Sequence, residues 1–525
     1  MKSLNIRSLM GIVSLGVVTV FLWTVLGFDL THGAGDYYSG KPAKYIFFFI
    51  GDGMGASQRD LAAAFAGKEL VMNTLPAQSL TTTCAKDRYI TDSAAAVTAL
   101  ACGKKTTVKM IGLDPDGKPL ETIAELAKKR GMKVGIISSV SIDHATPAGF
   151  YAHVPSRYQF YDIDVAIAES GFDFFGGGGL ADPDNKRTKS KEFKGDAREL
   201  MKKEGYRFVN NKDELMRLKP GDGKVYAFNK RLTEKFAMPY AMDTDRREDI
   251  SLAEFTDAAI RLLENEKGFF VMVEGGKIDW ACHANDAAAS VHDTIAFDEA
   301  IERAVEFSKK HPAETLIVVT GDHETGGMSL GSYGTQYETA FELLSLQKIS
   351  SERFVGEILK SYKKACKEFC HFETVRPLIT EYFGLKFEGD TNDPLVLNEH
   401  ELKRVRKAYE LSMAFDKPVM KNFKNYVRYG ENDPLTVTLT HILNNKAGIG
   451  WASFSHTGAP VVTSAAGVGS HLFNGRYDNT EIALKIMSIM GAEPKAQYRH
   501  GPAKAAGRSV PVPVAATGQR AAGAH

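Results

Sequence analysis

The sequence predicts an α/β fold: a doubly wound, mostly parallel sheet flanked by helices, with a helical insertion ahead of the last metal-ligand candidate. Three stretches carry that prediction. Each is a short apolar run that leads into glycine and metal-ligand side chains. Tyr45 to Ile50 precedes Gly51-Asp52-Gly53, Phe269 to Val273 precedes Glu274-Gly275-Gly276, and Thr315 to Thr320 precedes Gly321-Asp322-His323. Short apolar runs of this kind read as strands covered on both faces, as in parallel sheets. In such sheets ligands bind beyond the carboxyl ends of the strands. Asp52, Glu274, Asp322 and His323 all fall there.

Along the chain, Lys2 and Arg7 precede an apolar run from Leu9 to Phe28. This is an export signal, long for a signal-peptide core and just long enough to span a membrane. Residues 1–35 are therefore read as a cleaved signal peptide or, as a close second, an uncleaved anchor. Either places the body in the periplasm or elsewhere outside the cytoplasm, released or tethered. After the first strand, Gly51 to Gly55 form a turn in which glycines let the backbone bend beside an ion. Thr91 to Gly103 is Ala-rich and ends in glycine, which predicts a helix with Ser93 at its start. A serine there caps the helix, or serves as a nucleophile at its positive end. Leu120 to Arg130 reads as an amphipathic helix and Lys133 to Ile137 as a strand, running on to His144 and Thr146. Arg157 follows; at the mouth of a metal site a guanidinium can grip phosphate with two nitrogens. Phe172 to Phe175 is a further strand. The four glycines after it lack the Lys-Ser/Thr of a phosphate-binding loop and are read as a turn.

Residues 182–223 are lysine-rich and predict surface excursions. Ser251 and Glu254 form a capping box for a helix that Gly268 stops. Beyond the strand Phe269 to Val273, Asp279 and His283 are spaced i,i+4. On a helix both side chains face one way and can clamp one ion. Ala287 to Val305 is helical. Residues 330–448 carry helical patterning and no motif, and this is too long for a simple loop. Sheet sequence returns at Ala459 to Thr463, just after His456, and Thr480 to Met490 closes with a helix. Residues 493–525 are rich in Ala, Gly, Pro and basic residues and read as a disordered tail.

The chain has 525 residues and a net charge of +1, so charge gives no argument for nucleic-acid binding. The five cysteines (Cys84, Cys102, Cys282, Cys366 and Cys370) are too few for a disulfide scaffold. Cys366 and Cys370 are spaced i,i+4, and such a pair on one helix bridges poorly without distortion.

Taken in order, the motifs resemble the zinc-dependent alkaline phosphatases, the bacterial, phosphoserine-forming kind. The resemblance rests on Ile50 to Gly55, Thr91 to Ala95, Val273 to Gly276 with His283 to Asp286, Gly321 to Gly327, and His456-Thr457-Gly458. It runs from about Tyr45 to Met490 and is poorest over 330–448. It implies two zinc ions and one magnesium ion: Asp279, His283 and His456 on the first zinc, Asp52, Asp322 and His323 on the second, and Asp52, Thr146 and Glu274 on magnesium. It implies that Ser93, beside the second zinc, attacks phosphorus in line, and that Arg157 holds two phosphate oxygens. Water then releases the phosphoserine, and two displacements retain configuration at phosphorus. His144 stands where some members have Asp, and Trp280 where some have Lys or His. Both border the magnesium or phosphate region, which leaves strict magnesium preference open. The resemblance makes 36–492 the catalytic domain and 330–448 a crown-like insertion, placed where the family has elements near a dimer interface, so a homodimer is compatible with it.

The expected reaction is hydrolysis of small phosphate monoesters. The alternatives are a phosphodiesterase or sulfatase of the same superfamily, or a relative that binds phosphate or zinc without turnover. A formylglycine sulfatase needs a C/S-x-P-x-R setting that Thr91 to Ala95 lacks. The diesterase reading is disfavoured by Arg157 with Thr146 and Glu274, which suit a dianionic phosphate. Ser93 with a complete ligand set argues against an inactive relative.

Overall fold

The structure is a computed structural model that describes residues 38–233, 235–366, 370–414 and 423–492. The apolar run 9–28 and the tail 493–525, on which the export and tail expectations rest, lie outside the described residues. Among the described residues no helix is long and apolar enough to cross a membrane.

In chain order the strands are β1 (Tyr45–Gly51), β2 (Ala77–Thr82), β3 (Lys133–Ser138), β4 (Phe174–Gly177), β5 (Tyr206–Val209), β6 (Lys224–Phe228), β7 (Phe269–Glu274), β8 (Thr315–Gly321), β9 (Glu324–Thr325), β10 (Ser329–Leu330), β11 (Ile449–Gly450), β12 (His456–Thr457), β13 (Val461–Gly467) and β14 (Gly475–Asp478). Ten of them form one sheet in the order β14-β2-β13-β8-β1-β7-β3-β4-β6-β5. Only β13 runs against its neighbours β8 and β2; every other pairing in this sheet is parallel. The mostly parallel sheet expected from the sequence is the sheet observed.

The three apolar runs are its centre. β1 lies between β7 and β8, and all three are buried at every position. Alternate side chains of β1 feed two cores, as a strand's two-residue period requires. Ile46, Phe48 and Ile50 pack with Val97, Leu100, Phe150 and Ile486 on one face. Tyr45, Phe47 and Phe49 pack with Phe255, Phe297 and Phe307 on the other. Each such phenylalanine, fully removed from water, contributes about 1.5–3 kcal/mol. The helices Ser93–Cys102 and Thr480–Ile489 cover the first face, and Leu252–Leu263 and Ala287–Lys310 the second.

Register decides where the strands end. Ile50 of β1 sits opposite Thr320 of β8 and Glu274 of β7, and Ser138 of β3 also sits opposite Glu274. Four adjacent parallel strands thus finish level with one another. The loops that follow them share one space.

The structure differs from the sequence reading at several places. Gly176 and Gly177 complete β4 instead of forming a turn. Gly177 holds φ +132°, and a Cβ there would lie 1.8 Å from the Ser138 carbonyl oxygen, so close backbone approach to β3 explains the glycine. The stretch read as surface excursion contains β5, and β6 follows directly; they form one end of the sheet. Cys366 and Cys370 are joined by a disulfide with Cα atoms 5.0 Å apart. That separation lies in the ordinary range for a disulfide, so the pair expected to bridge poorly is bridged.

Between β10 and β11 the helices Phe372–Phe383, Glu399–Met413 and Pro434–Lys446 pack around Val375, Ile379, Phe383, Val405, Tyr409, Leu435 and Leu439. The two-residue ladder of β9 and β12 sets His456 opposite Thr325. That short pairing returns the chain to the carboxyl ends of the sheet after the insertion.

Candidate active site

Three groups of ligand atoms converge beyond the ends of β8, β1, β7 and β3. They are Asp279, His283 and His456; Asp52, Asp322 and His323; and Asp52, His144 and Glu274, with the ligand atoms of each group within 4.8 Å of one another. These groups contain seven of the eight residues expected as ligands, and the eighth, Thr146, lies against Asp52. Thr146 Oγ1 donates to Asp52 Oδ2 at 3.4 Å. His144, expected only at the border, enters the third group itself: its Nδ1 lies 3.6 Å from Glu274 Oε1 and 3.9 Å from Asp52 Oδ2.

Local structure explains each placement. Asp279 and His283 sit on the helix Lys277–His283, with Asp279 Oδ2 and His283 Nε2 3.3 Å apart. Gly53 holds φ +69°, donates its N–H to Asp322 Oδ1 at 3.1 Å, and has no room for a Cβ, which would lie 2.8 Å from Asp279 Oδ1. Only glycine combines that conformation with that approach.

The hydrogen bonds around the imidazoles orient their lone pairs. His283 Nδ1 faces the Phe454 carbonyl oxygen at 2.7 Å, and His456 Nδ1 faces the Thr91 carbonyl oxygen at 2.9 Å. A carbonyl only accepts, so each Nδ1 carries a hydrogen, and in the neutral imidazole that binds a metal each Nε2 is left bare. Those two bare nitrogens point at one another across 3.1 Å. His323 follows the same pattern. Thr325 Oγ1 donates to Asp279 Oδ1 at 2.6 Å and so accepts from His323 Nδ1 at 3.2 Å. His323 Nε2 then faces Asp52 Oδ1 at 3.4 Å and Asp322 Oδ2 at 3.3 Å.

Buried atoms without a hydrogen-bond partner include Asp52 Oδ1, Asp322 Oδ2, Glu274 Oε1 and His144 Nδ1. Arg157 only donates, so His144 Nε2 accepts and Nδ1 carries the hydrogen; the three carboxylate oxygens are acceptors, and acceptors gathered in this way fit cations. The titration behaviour agrees. Burial, then Asp322 and Asp279, push Asp52 well above the usual carboxylate range. Burial and the neighbouring Asp279 and Glu274 do the same to Asp322. Burial, with His283 and Arg157 beside it, pushes His323 down to about 3, so it stays a neutral ligand. For Asp279 burial acts upward, but His283, His456 and His323 together outweigh it and hold the carboxyl well below its usual range.

Ser93 is buried, with Oγ 3.3 Å from His323 Nε2. It opens the helix Ser93–Cys102, but the cap is Asp92, whose Oδ1 accepts from the Ala95 N–H at 3.0 Å. The structural role considered for Ser93 thus belongs to its neighbour, and the serine hydroxyl faces the ligand groups. Arg157 Nη2 lies 3.0 Å from His144 Nε2, and Nη1 lies 3.5 Å from Asp92 Oδ2. Trp280 stands edge-on to His144, with ring centroids 6.1 Å apart.

An alkaline phosphatase family model matches residues 43–492. The chain belongs to the alkaline phosphatase family. Alkaline phosphatase 4 of Bacillus subtilis is 33% identical over 414 residues, 77% of this chain and 77% of that protein. The cold-active alkaline phosphatase of a Shewanella species superposes with a TM-score of 0.68 at 28% identity, covering 85% of this chain and 99% of that one. The Thermus thermophilus alkaline phosphatase gives a TM-score of 0.71 at 26% identity, covering 89% and 96%. The family is metal-dependent and hydrolyses phosphate monoesters, and the clustered ligands accord with that.

Three residues of this family member escaped the sequence reading. Thr325 bridges His323 and Asp279. Ser138 donates its hydroxyl to Glu274 Oε2. Asp92 holds one edge of Arg157. Thr325 lies within the Gly321 to Gly327 motif and Asp92 within Thr91 to Ala95, so both were in view. No sequence signal distinguishes a ligand's supporting partner from an ordinary polar neighbour.

Proposed function

We propose that this protein is a phosphate monoesterase that works through a phosphoserine on Ser93, at a site for two zinc ions and a third ion. The observation that carries the reading is the opposition of bare acceptors: His283 Nε2 to His456 Nε2 at 3.1 Å, and His323 Nε2 to two carboxylate oxygens. Asp279, His283 and His456 would hold the first zinc, a nitrogen-rich set that suits this metal. Asp52, Asp322 and His323 would hold the second. Asp52, Glu274 and Thr146 would hold magnesium, with His144 beside them, its Nε2 held by Arg157 and its Nδ1 turned toward the two carboxylates. When bound, the ions supply a lowered pKa for the serine hydroxyl and charge compensation for the transferring phosphoryl group.

The chain's own residues do the rest. Arg157, braced by Asp92 and His144, binds two phosphate oxygens and aims phosphorus at Ser93. Ser93 Oγ forms the bond to phosphorus as the ester oxygen leaves, and its proton ends on the leaving alcohol. The amino end of the helix Ser93–Cys102 favours the negative charge at that position. Water then attacks the phosphoserine, inorganic phosphate departs, and the hydroxyl of Ser93 is restored. The apolar run 9–28 supports export, so the site works outside the cytoplasm.

The test is phosphate release from a monoester and a diester of the same phenol, with metal analysis of the purified protein. The reading requires monoester turnover to exceed diester turnover by orders of magnitude and zinc to be present. Equal rates on the two esters, or a metal-free protein with full activity, overturn it.

A further inference from the structure

Two ligands of the first group share one helix, Lys277–His283, and the third, His456, arrives from beyond the insertion. His456 lies on β12, which pairs with β9 in a sheet of its own, two residues against two. A ladder that short is too weak to hold a ligand in place by itself. The ring's direction is set by the bond from His456 Nδ1 to the Thr91 carbonyl oxygen at 2.9 Å. The backbone that carries the ring needs a separate tie.

That tie is Glu324. The register sets Thr457, the residue after His456, opposite Glu324. Glu324 is buried and belongs to none of the three ligand groups. Its Oε2 accepts the Thr457 hydroxyl and the Gly327 N–H, the latter at 3.2 Å. Its Oε1 accepts from Gln58 Nε2 at 3.0 Å and from the Met328 N–H at 3.3 Å. These donors come from β12, from the turn after β9 and from the helix Ala56–Ala66. The helix holds β9 a second time, since Gln58 Nε2 also reaches the Thr325 carbonyl oxygen at 3.1 Å. Gly55 makes room for the carboxylate: a Cβ there would lie 2.5 Å from Glu324 Cγ. A buried carboxylate is costly unless its oxygens are met, and bonds to a charged acceptor are about twice as strong as neutral ones. One side chain thus fastens β12 to the body of the protein.

We propose that Glu324 is a positioning residue for His456. Through Thr457 it holds the imidazole where its Nε2 lies 3.1 Å from His283 Nε2 and 3.7 Å from Asp279 Oδ1, and so sets how tightly the first group grips its ion. The inference rests on the assignment of Asp279, His283 and His456 to one zinc. Glutamine is the sharp probe of it. Glu324→Gln keeps the shape but has one acceptor oxygen instead of two. Whichever way the amide is turned, its NH2 faces a backbone N–H, that of Gly327 or that of Met328.

The experiment follows zinc ions per chain by metal analysis as a competing chelator is raised, with His456→Ala marking release from the first group. Groups that orient metal ligands typically change affinity by about 10–100-fold. Glu324→Gln should therefore release the first-group zinc at about 10–100-fold lower chelator concentration and keep the other. Thr457→Val, which removes only the tie to β12, should shift the same release in the same direction, and Thr457→Ser should restore it. Added to His456→Ala, Glu324→Gln should shift zinc release no further, because the ligand it positions is already gone. A merely structural role loosens both ions and adds its effect to that of His456→Ala; that result, or unshifted release in Glu324→Gln, overturns the proposal. If His456→Ala itself keeps both ions as tightly as the unaltered protein, the ligand assignment fails and the proposal falls with it.

Discussion

Thr325→Val should uncouple the two ligand groups proposed for zinc while barely changing volume. The Thr325 hydroxyl donates to Asp279 Oδ1 at 2.6 Å and accepts from His323 Nδ1 at 3.2 Å, and the residue is fully buried. Valine fills the same space and offers neither contact. A hydrogen bond to a charged group contributes about 1.5–3 kcal/mol, and the buried Nδ1–H left without an acceptor costs about 1–3 kcal/mol more. Part of that sum is recovered by relaxation. Groups that orient metal ligands typically change metal affinity by about 10–100-fold. The expected outcome is zinc lost to a competing chelator at about 10–100-fold lower chelator concentration, with monoesterase activity falling in step. Thr325→Ser restores the hydroxyl and should recover most of the affinity. Unaltered zinc retention in Thr325→Val, with full activity, would refute the account of how His323 and Asp279 are oriented.

Two further outcomes follow from the geometry. His456→Ala removes one of two bare nitrogens that face each other at 3.1 Å. It should weaken zinc at the first group more than at the second, and unaltered zinc content with full activity would contradict the place given to His456. The His153–Glu125 pair, Nε2 to Oε1 at 3.0 Å, is a surface pH element apart from the site. Burial acts to lower His153, but Glu125 and the Gly112 carbonyl outweigh it and raise the imidazole above its usual value. Its contribution is therefore complete below about pH 6.5 and is lost as pH rises through the raised value, by about 1 kcal/mol. Glu125→Gln should flatten that stretch of the stability–pH curve, and parallel curves for the two proteins would count against the pair.

How much was legible depends on burial. β1, β7 and β8 are covered on both faces, so their sequences are apolar without interruption and could be read directly. β2, Ala77–Thr82, alternates buried with exposed or half-buried positions through Gln78, Leu80 and Thr82 and escaped notice. β5 and β14 are the sheet's edges, short and bearing Arg207 and Arg476, and edge strands are kept short and charged to prevent mispairing. The ligands Asp52, Glu274, Asp322 and His323 were legible because each follows a buried strand. His456 follows no such strand; it reaches the site through the two-residue pairing of β9 with β12, and motif order alone pointed to it. Ser93 was placed at its helix start correctly, but local propensity could not tell which of Asp92 and Ser93 would cap. His144 was set at the margin of the third group because the spacing from Asp143 to Thr146 does not reveal which side chain turns inward.

The most direct measurement of the central claim is the fate of phosphorus. A chiral, isotopically labelled phosphate monoester should be hydrolysed with retention, and acid quenching during turnover should trap labelled phosphate on Ser93. Ser93→Ala should yield no trapped label, and any residual turnover should invert. Inversion by the unaltered enzyme, or trapped phosphate on a residue other than Ser93, would contradict the account.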